Sequence, residues 1–478
     1  MFTKVFAFPI RLFKKLFHLA FLDRPHPVLR VFYLLRLDIV FFTIPLFLLM
    51  NRKSLLKLLG LKLRGKSPGI VLFSTESDRR FNRFYELSLA DESLVVFRFL
   101  IQLVNVEIYY FSSYAAKPIG FYEDARFRYI EPNNLENRKR YRGYISRLFN
   151  ALEFFTGKVD LFLSGSNNDR YVVEMIEVAQ SRGTSWVVQE REGTGTDLTY
   201  KMESIGFRDS GSVVAHYHFL ANDKHKECFE NAKTSTVRFT KTLGELDTDQ
   251  WFHQDLSFIK EKYSSWDSFS KVVLFLTFGE RNYIEPTSFP NHPNLTWKPL
   301  IKDCEDVIFE FARAHPDILI LYRMGHKEDL NARFLDRVEK AELRNIQSST
   351  RETPFIEVAH RADLIIGFQT TALFESMFLE KPIIQVEWHI PEIVKPETDL
   401  LPINTHGACL TAHSKAEFAM LLEAWERGGP EIEVDAKMME GRKKTREIMF
   451  HQADGRVSER FLVEIKGILS ERTLSRLK

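Results

Sequence analysis

The chain lacks several features that mark whole classes of protein. Its 478 residues include three cysteines, Cys228, Cys304 and Cys409, widely separated and with no C-x-x-C between them. That argues against a disulfide framework or a zinc site and favours a reducing compartment. A spanning helix needs about 20 consecutive apolar residues. The longest apolar run near the N-terminus, Ile39 to Met50, is twelve residues and contains Pro45. Arg36 and Asp38 stand just upstream, where hydrocarbon would penalise them. A signal peptide does not fit either, because the run starts late and no small-residue cleavage site follows. The formal charge of +2 gives no reason to expect nucleic acid as a partner. There is no short repeat, no low-complexity tract, and no G-x-G-x-x-G opening a helix after the first strand. Gly60 to Ser67 matches G-x-x-x-x-G-K-[ST], but no strand leads into it and Pro68-Gly69 follows where a helix should begin. Dinucleotide dehydrogenases and P-loop kinases lose weight accordingly.

What is present is an ordinary globular balance, 27% charged and 45% apolar, on a chain long enough for two domains. The charge is unevenly spread. From Met1 to Lys66 there are thirteen Lys or Arg against two acids, Asp23 and Asp38, interleaved with Phe2, Phe6, Phe8, Phe13 and Phe17. An amphipathic basic segment of this kind suits an anionic membrane surface. The expectation is peripheral, monotopic attachment on the cytoplasmic face. The plainer alternative is that these helices pack on the protein and their cations are solvated.

Beyond the break at 66–69, short apolar runs alternate with helical patterns. Strands are predicted at Ile70–Ser74, Val106–Phe111, Val159–Leu163, Trp186–Gln189 and His216–Ala221. Helices are predicted at Ser93–Val104, Asn134–Phe155 and Arg170–Arg182. After a polar, acidic stretch the alternation resumes at Val272. It continues through strands at Ile318–Tyr322, Leu364–Gly367 and Ile383–Val386, with helices at Leu300–Ala314, Glu328–Ala341, Pro354–Arg361 and Thr371–Leu379. Helices over Ala416–Glu426 and Gly455–Leu474 close the chain. The expected fold is α/β, two Rossmann-like doubly wound domains with parallel sheets. The expected organisation is a basic segment (1–66), an N-terminal domain (67–240), a linker (241–270), a C-terminal domain (271–450) and a C-terminal helix (451–478). Ligands of such sheets bind beyond the carboxyl ends of the strands.

Four loops at those ends are polar. Gly367-Phe368-Gln369-Thr370-Thr371 hands a strand to a helix, whose free N–H groups and dipole suit a phosphate. Thr370 and Thr371 add hydroxyl donors, and Glu375 follows one turn later, within reach of a sugar hydroxyl. Thr277 to Arg281 follows another strand. Arg323, His326 and Lys327 follow a third, offering a bidentate guanidinium, a point charge and a protonatable ring. The alternative is solvated cations paired with Glu328 and Asp329, but the loop's place one strand from the threonine turn favours the ligand reading. Glu190 and Glu192 lie on the first-domain loop before Gly193 and Gly195, where a carboxylate could serve as general base. An ordinary surface loop is an equal reading there. His389 is a weaker candidate, and His218 and Asn222 to Lys226 read as structural or solvent-facing.

The strand, the GFQTTALFE turn and the following Lys381-Pro382-Ile383-Ile384 resemble the donor-site motif of GT-B glycosyltransferases. The closest resemblance is to bacterial surface-polysaccharide transferases, including the CDP-glycerol glycerophosphotransferase-like group. Asp454-Gly455-Arg456-Val457-Ser458-Glu459-Arg460 is similar to the ending that opens their C-terminal helix. The resemblance implies a C-terminal domain that binds a nucleotide-sugar or CDP-polyol donor, with Gln369, Thr370 and Thr371 on the phosphates and Glu375 on a ribose or donor hydroxyl. Arg281, Arg323, His326 and Lys327 would neutralise the leaving nucleotide without a metal or other cofactor. The acceptor would be a lipid-linked or polysaccharide glycan. Gln369 replaces the usual small hydroxyl residue, Phe368 adds bulk and Gly325 stands where a Pro is usual. A sugar-nucleotide epimerase of the same fold and a non-catalytic, membrane-bound assembly factor remain as alternatives. The one Asp-x-Asp triplet, Asp247-Thr248-Asp249, falls in the expected linker and is discounted as a metal site.

Overall fold

The computed structural model describes residues 44–74, 81–99, 135–165, 170–190, 194–210, 216–232, 239–253, 255–279, 289, 291–292, 294–323, 332–349 and 353–477. The first sheet has six strands, β1 (Gly69–Ser74), β2 (Leu94–Phe99), β3 (Leu161–Ser164), β4 (Ser185–Gln189), β5 (Tyr217–Leu220) and β6 (Phe239–Thr242), in the order β2-β1-β3-β4-β5-β6. The second has β7 (Lys271–Leu276), β8 (Ile318–Arg323), β9 (Ile346–Ser349), β10 (Leu364–Gly367), β11 (Ile383–Val386) and β12 (Leu410–Ala412), in the order β12-β11-β10-β7-β8-β9. Every pairing is parallel. In the second sheet the order reverses between β7 and β10, the kind of switch point that leaves a crevice at the strand ends.

Fourteen helices of six residues or more are described, numbered in chain order. In the first half they are α1 (Ile44–Met50), α2 (Arg52–Leu63), α3 (Asn82–Ala90), α4 (Leu135–Thr156), α5 (Arg170–Ser181), α6 (Asp197–Ser210) and α7 (Asp223–Ala232). In the second they are α8 (Lys298–Ala314), α9 (Ala332–Lys340), α10 (Phe355–Arg361), α11 (Thr371–Ser376), α12 (Lys415–Glu426), α13 (Ala436–Phe450) and α14 (Val457–Leu477).

The central strands of both sheets are buried on both faces, which is why β1, β3, β7, β8, β10 and β11 read as continuous apolar runs, whereas the edge strands β6 (FTKT) and β9 (IQSS) are partly exposed and polar. In β1, Ile70 and Leu72 pack with α4 residues Ile145 and Leu148, while Val71 and Phe73 pack on the opposite face with Phe84. In β7, Val273 and Phe275 face α8, while Val272, Leu274 and Leu276 face Val358 and Phe374.

One expected helix is a strand. Ser93–Val104 was read as helical, but Leu94–Phe99 pairs in parallel register with β1 as an edge strand. LVVFRF is a short apolar run, and periodicity alone does not separate a buried strand from a buried helix at that length. The helix of this unit is α3, one segment earlier. The strand expected at Val106–Phe111 and the basic residues of 1–43 lie outside the described residues.

The chain passes between the sheets twice. It leaves β6 through Gly244 and a single 3-10 turn, Leu246–Asp249, and it returns after α13 to lay α14 on the first sheet. There Phe461, Ile465 and Ile468 join Phe73 and Phe84 in one core, with Phe461 edge-on to Phe84 at 5.0 Å. The two passing segments abut. Gly244 has φ +97, and a Cβ there would stand 2.9 Å from the Phe450 carbonyl; Gly455 has φ +78, and its Cβ would meet Phe252 at 2.8 Å. Only glycine meets both demands at these positions.

Candidate functional site

The turn singled out in the sequence stands at the carboxyl end of β10, beside the switch point. Thr370 is extended (φ −134, ψ 139) and its hydroxyl caps α11 by accepting from the Ala372 N–H at 3.4 Å. Thr371 and Glu375 are i and i+4 on α11 and so share one face. That face lines a narrow cavity of about 60 Å³, opposite Thr194 from the loop after β4. Glu245, Asp247 and Thr248 of the passing segment form its third wall, with Trp251 and Phe450 beside them. Trp251 is itself held by stacking on Phe378 (5.7 Å, 10° between planes) and on His360 (5.7 Å, 26°).

Of the residues expected to hold phosphate, Gln369 is turned inward. It sits at φ +43, is fully buried, and its amide accepts from the Leu401 N–H and donates to the Leu401 carbonyl. Its side chain therefore anchors the loop at Leu401 instead of facing a ligand. Phe368 adds no bulk to the crevice, because it is buried between Phe278 and Trp297, each 4.9 Å away between ring centroids. Arg323 ends β8 as expected, but its guanidinium donates to Ser349 Oγ (3.2 Å) and the Thr353 carbonyl (3.1 Å) and lies over Phe355. It does not line the cavity with Thr371 and Glu375. Arg281, His326, Lys327 and Glu192 lie outside the described residues.

Glu190 is buried at the end of β4, and its Oε2 lies 2.7 Å from His218 Nε2 on β5. The His218 ring packs edge-on against Phe229, and its buried Nδ1 has no hydrogen-bond partner among the described residues. This carboxylate–imidazole pair sits four residues before Thr194. His218 was expected to be structural, and sequence gave no sign that it pairs with Glu190. His389 bonds Asp303 at 2.8 Å.

Lys381 of the lysine–proline stop has a structural use. Its ammonium donates to the carbonyls of Ala359, His360 and Ala362 at the end of α10, and burial pushes its pKa down. A cation at a helix C-terminus satisfies carbonyls that the helix leaves open. Asp249 is likewise structural. It is buried, and its two oxygens accept from the N–H groups of Val457 (3.0 Å) and Ser458 (2.7 Å), capping α14. Among the described residues no group of three or more His, Cys, Asp or Glu is arranged to hold a metal. The residues that sequence reasoning missed are Glu245, Asp247, Thr248, Trp251 and Phe450, since a polar linker and a helix end carry no periodic signal that places them beside a distant turn.

No protein-family model matches the chain, and no curated protein matches it. Solved structures do. A Listeria monocytogenes protein named as a UDP-N-acetylglucosamine 2-epimerase is 13% identical, covers 85% of this chain and 98% of its own, and superposes with a TM-score of 0.51. The Neisseria meningitidis UDP-GlcNAc 2-epimerase, solved with UDP-GlcNAc, is 14% identical, covers 85% of this chain and 100% of its own, with a TM-score of 0.50. The fold is GT-B. At such identities the likeness shows the fold and nothing finer. On this GT-B frame, Thr371 and Glu375 belong to the second sheet's switch point, and Thr194 faces them from the first.

Proposed function

We propose that the chain is an enzyme that uses a nucleotide-activated sugar or polyol-phosphate, bound between its two domains. The observation that carries this reading is the meeting of Thr371 and Glu375 with Thr194 across the crevice at the carboxyl edges of two parallel sheets. The chemistry of the walls assigns an orientation. Glu245, Asp247 and Glu375 are carboxylates, and they would repel a diphosphate at contact distance. They suit hydroxyl donors, so the ribose or the transferred polyol belongs against Glu375. The volume agrees: ligand pockets run to about 300–1,000 Å³, so a cavity of about 60 Å³ takes only one end of a nucleotide. The phosphates then lie outside it, toward the start of α11 and the loops after β7 and β8, where the sequence carries Arg281, His326 and Lys327.

Two activities fit. A transferase would pass the group to an acceptor hydroxyl on a lipid-linked or polysaccharide glycan, with Glu190 or Glu192 as the base. An epimerase would act on the nucleotide sugar itself. Its acid–base couple would be Glu190, four residues before Thr194 in the chain, and His218, a buried pair that is not part of the cavity lining.

The test is thermal-shift stabilisation by UDP, GDP, CDP, CMP and ADP on the wild type and on Glu375→Gln and Thr371→Val. A ligand that binds only the folded protein raises the melting temperature by mass action. One nucleotide that stabilises the wild type but neither variant supports the site. No shift with any of them overturns it in favour of a non-catalytic assembly role. With the nucleotide known, turnover of its sugar conjugate without acceptor marks an epimerase, and turnover only with acceptor marks a transferase.

A further inference from the structure

A surface helix ordinarily turns apolar residues inward and polar ones outward. α2 partly inverts this. Its inward contacts are largely polar and run along the open edge of β2. Asn51, just before α2, accepts from the Arg98 N–H (2.6 Å) and donates to the Arg98 carbonyl (2.8 Å). Ser54 donates to the Val96 carbonyl (2.6 Å), and Lys57 to the Leu94 carbonyl (2.6 Å). Positions 51, 54 and 57 thus serve strand positions 98, 96 and 94, closing a sheet edge that would otherwise offer unpaired backbone. Leu58 and Leu61 fill the space between.

The opposite face is apolar. Leu56 is 70% exposed, Leu59 56% and Leu63 80%, with Leu49 of α1 at 38%. At 100° per residue Leu56, Leu59 and Leu63 of α2 fall within about 60° of one another, a stripe about 10 Å long, with Leu49 on the preceding α1. Lys53 and Lys62 are exposed on its two flanks and Arg52 at its start, and no acidic residue occurs from Ile44 to Ser74.

We propose that this stripe is a docking surface for an anionic lipid bilayer, its leucines entering the interface and Arg52, Lys53 and Lys62 meeting lipid phosphates. The charge selects this occupant. A second copy seated on the stripe would bring the same cations face to face, and like charges so placed oppose association. Residues 1–43 carry seven Lys or Arg against two acids, so they too would be repelled as a cover and attracted to the same lipid surface. No helix among the described residues is long and apolar enough to cross a membrane, so the contact proposed is on the surface. The inference is independent of the reading of the crevice.

The experiment is co-sedimentation of the full-length protein with phosphatidylcholine vesicles, with and without phosphatidylglycerol. Two variants accompany it, Leu56→Ser/Leu59→Ser/Leu63→Ser and Lys53→Gln/Lys62→Gln. The wild type is expected to bind only the anionic vesicles, and each variant to lose about tenfold or more in affinity with an unchanged melting temperature. Failure of the wild type to bind overturns the proposal. So does wild-type binding by the leucine variant, which would assign the membrane contact to residues 1–43. A dimer by light scattering that the leucine variant dissolves, with no vesicle binding, would assign the stripe to a second copy instead.

Discussion

Asp249 offers the sharpest test of the structural assignments, because a metal reading and a capping reading make opposite demands on it. In Asp249→Ala the N–H groups of Val457 and Ser458 lose an ionised acceptor inside the protein. A hydrogen bond to a charged group contributes about 1.5–3 kcal/mol, and the charge at the helix start adds about 0.3–1 kcal/mol. Allowing for non-additivity, the first turn of α14 should open more easily by about 3 kcal/mol, a factor of about a hundred. Global melting is a blunt measure for a chain of two domains. The assay is therefore amide hydrogen exchange at Val457 and Ser458, with the β7 amides as internal reference. Asp247→Ala, which changes a cavity wall and leaves the helix cap intact, should leave that exchange unaltered. Unchanged protection in Asp249→Ala would refute the capping argument. So would a divalent cation that raises the melting temperature of the wild type and not of the variant.

Arg442 is fully buried, with its guanidinium shared among the carbonyls of Leu379, Lys381 and Ala408, and burial pushes its pKa down to about 10. Arg442→Met strands three acceptors and should cost about 3–5 kcal/mol in urea denaturation of the C-terminal domain. Burial alone would raise the Asp91 carboxyl, but its bonds to Lys466 and Ser93 outweigh that and hold it at about 2. A depressed carboxyl adds stability above its unfolded value near 4 that is lost as pH falls to 2, here about 2 kcal/mol at most. Asp91→Asn should therefore flatten the stability profile between pH 4 and 2 and be less stable above it. Gly244→Ala should cost about 2–3 kcal/mol through its positive φ and the Phe450 carbonyl, whereas Gly60→Ala in open space on α2 should gain about 0.5–1 kcal/mol; paired thermal melts separate them.

Four strands of the second sheet, β7, β8, β10 and β11, were legible because they are short apolar runs bounded by polar turns, and because β10, the turn and α11 are contiguous in sequence; its edge strands β9 (IQSS) and β12 (LTA) carry no such run and were not predicted. Thr371 and Glu375 were legible for the same reason, since i and i+4 on one helix fix a shared face. What sequence did not reveal depends on contacts made far along the chain. Gln369 meets Leu401, 32 residues on, and Asp249 meets Ser458, 209 residues on. No local pattern separates a ligand-facing glutamine from an anchoring one. Leu94–Phe99 misled for another reason. As an edge strand with both faces covered, it shows neither the alternation of a half-exposed strand nor turn residues close enough to bound it.

The paired glycines where the chain passes between the sheets carry a mechanical consequence. One tether between two bodies leaves them free to swivel about several axes. Two tethers that abut, with Asp249 holding Val457 and Ser458 and His253 Nε2 2.6 Å from the Gly455 carbonyl, behave as the spine of a book. Torsion and sliding about that spine would have to break buried hydrogen bonds, and opening it would have to release Leu198 of α6 from the second domain's core. Thr194 and Thr371, one on each page, are thereby kept in one register across the gap.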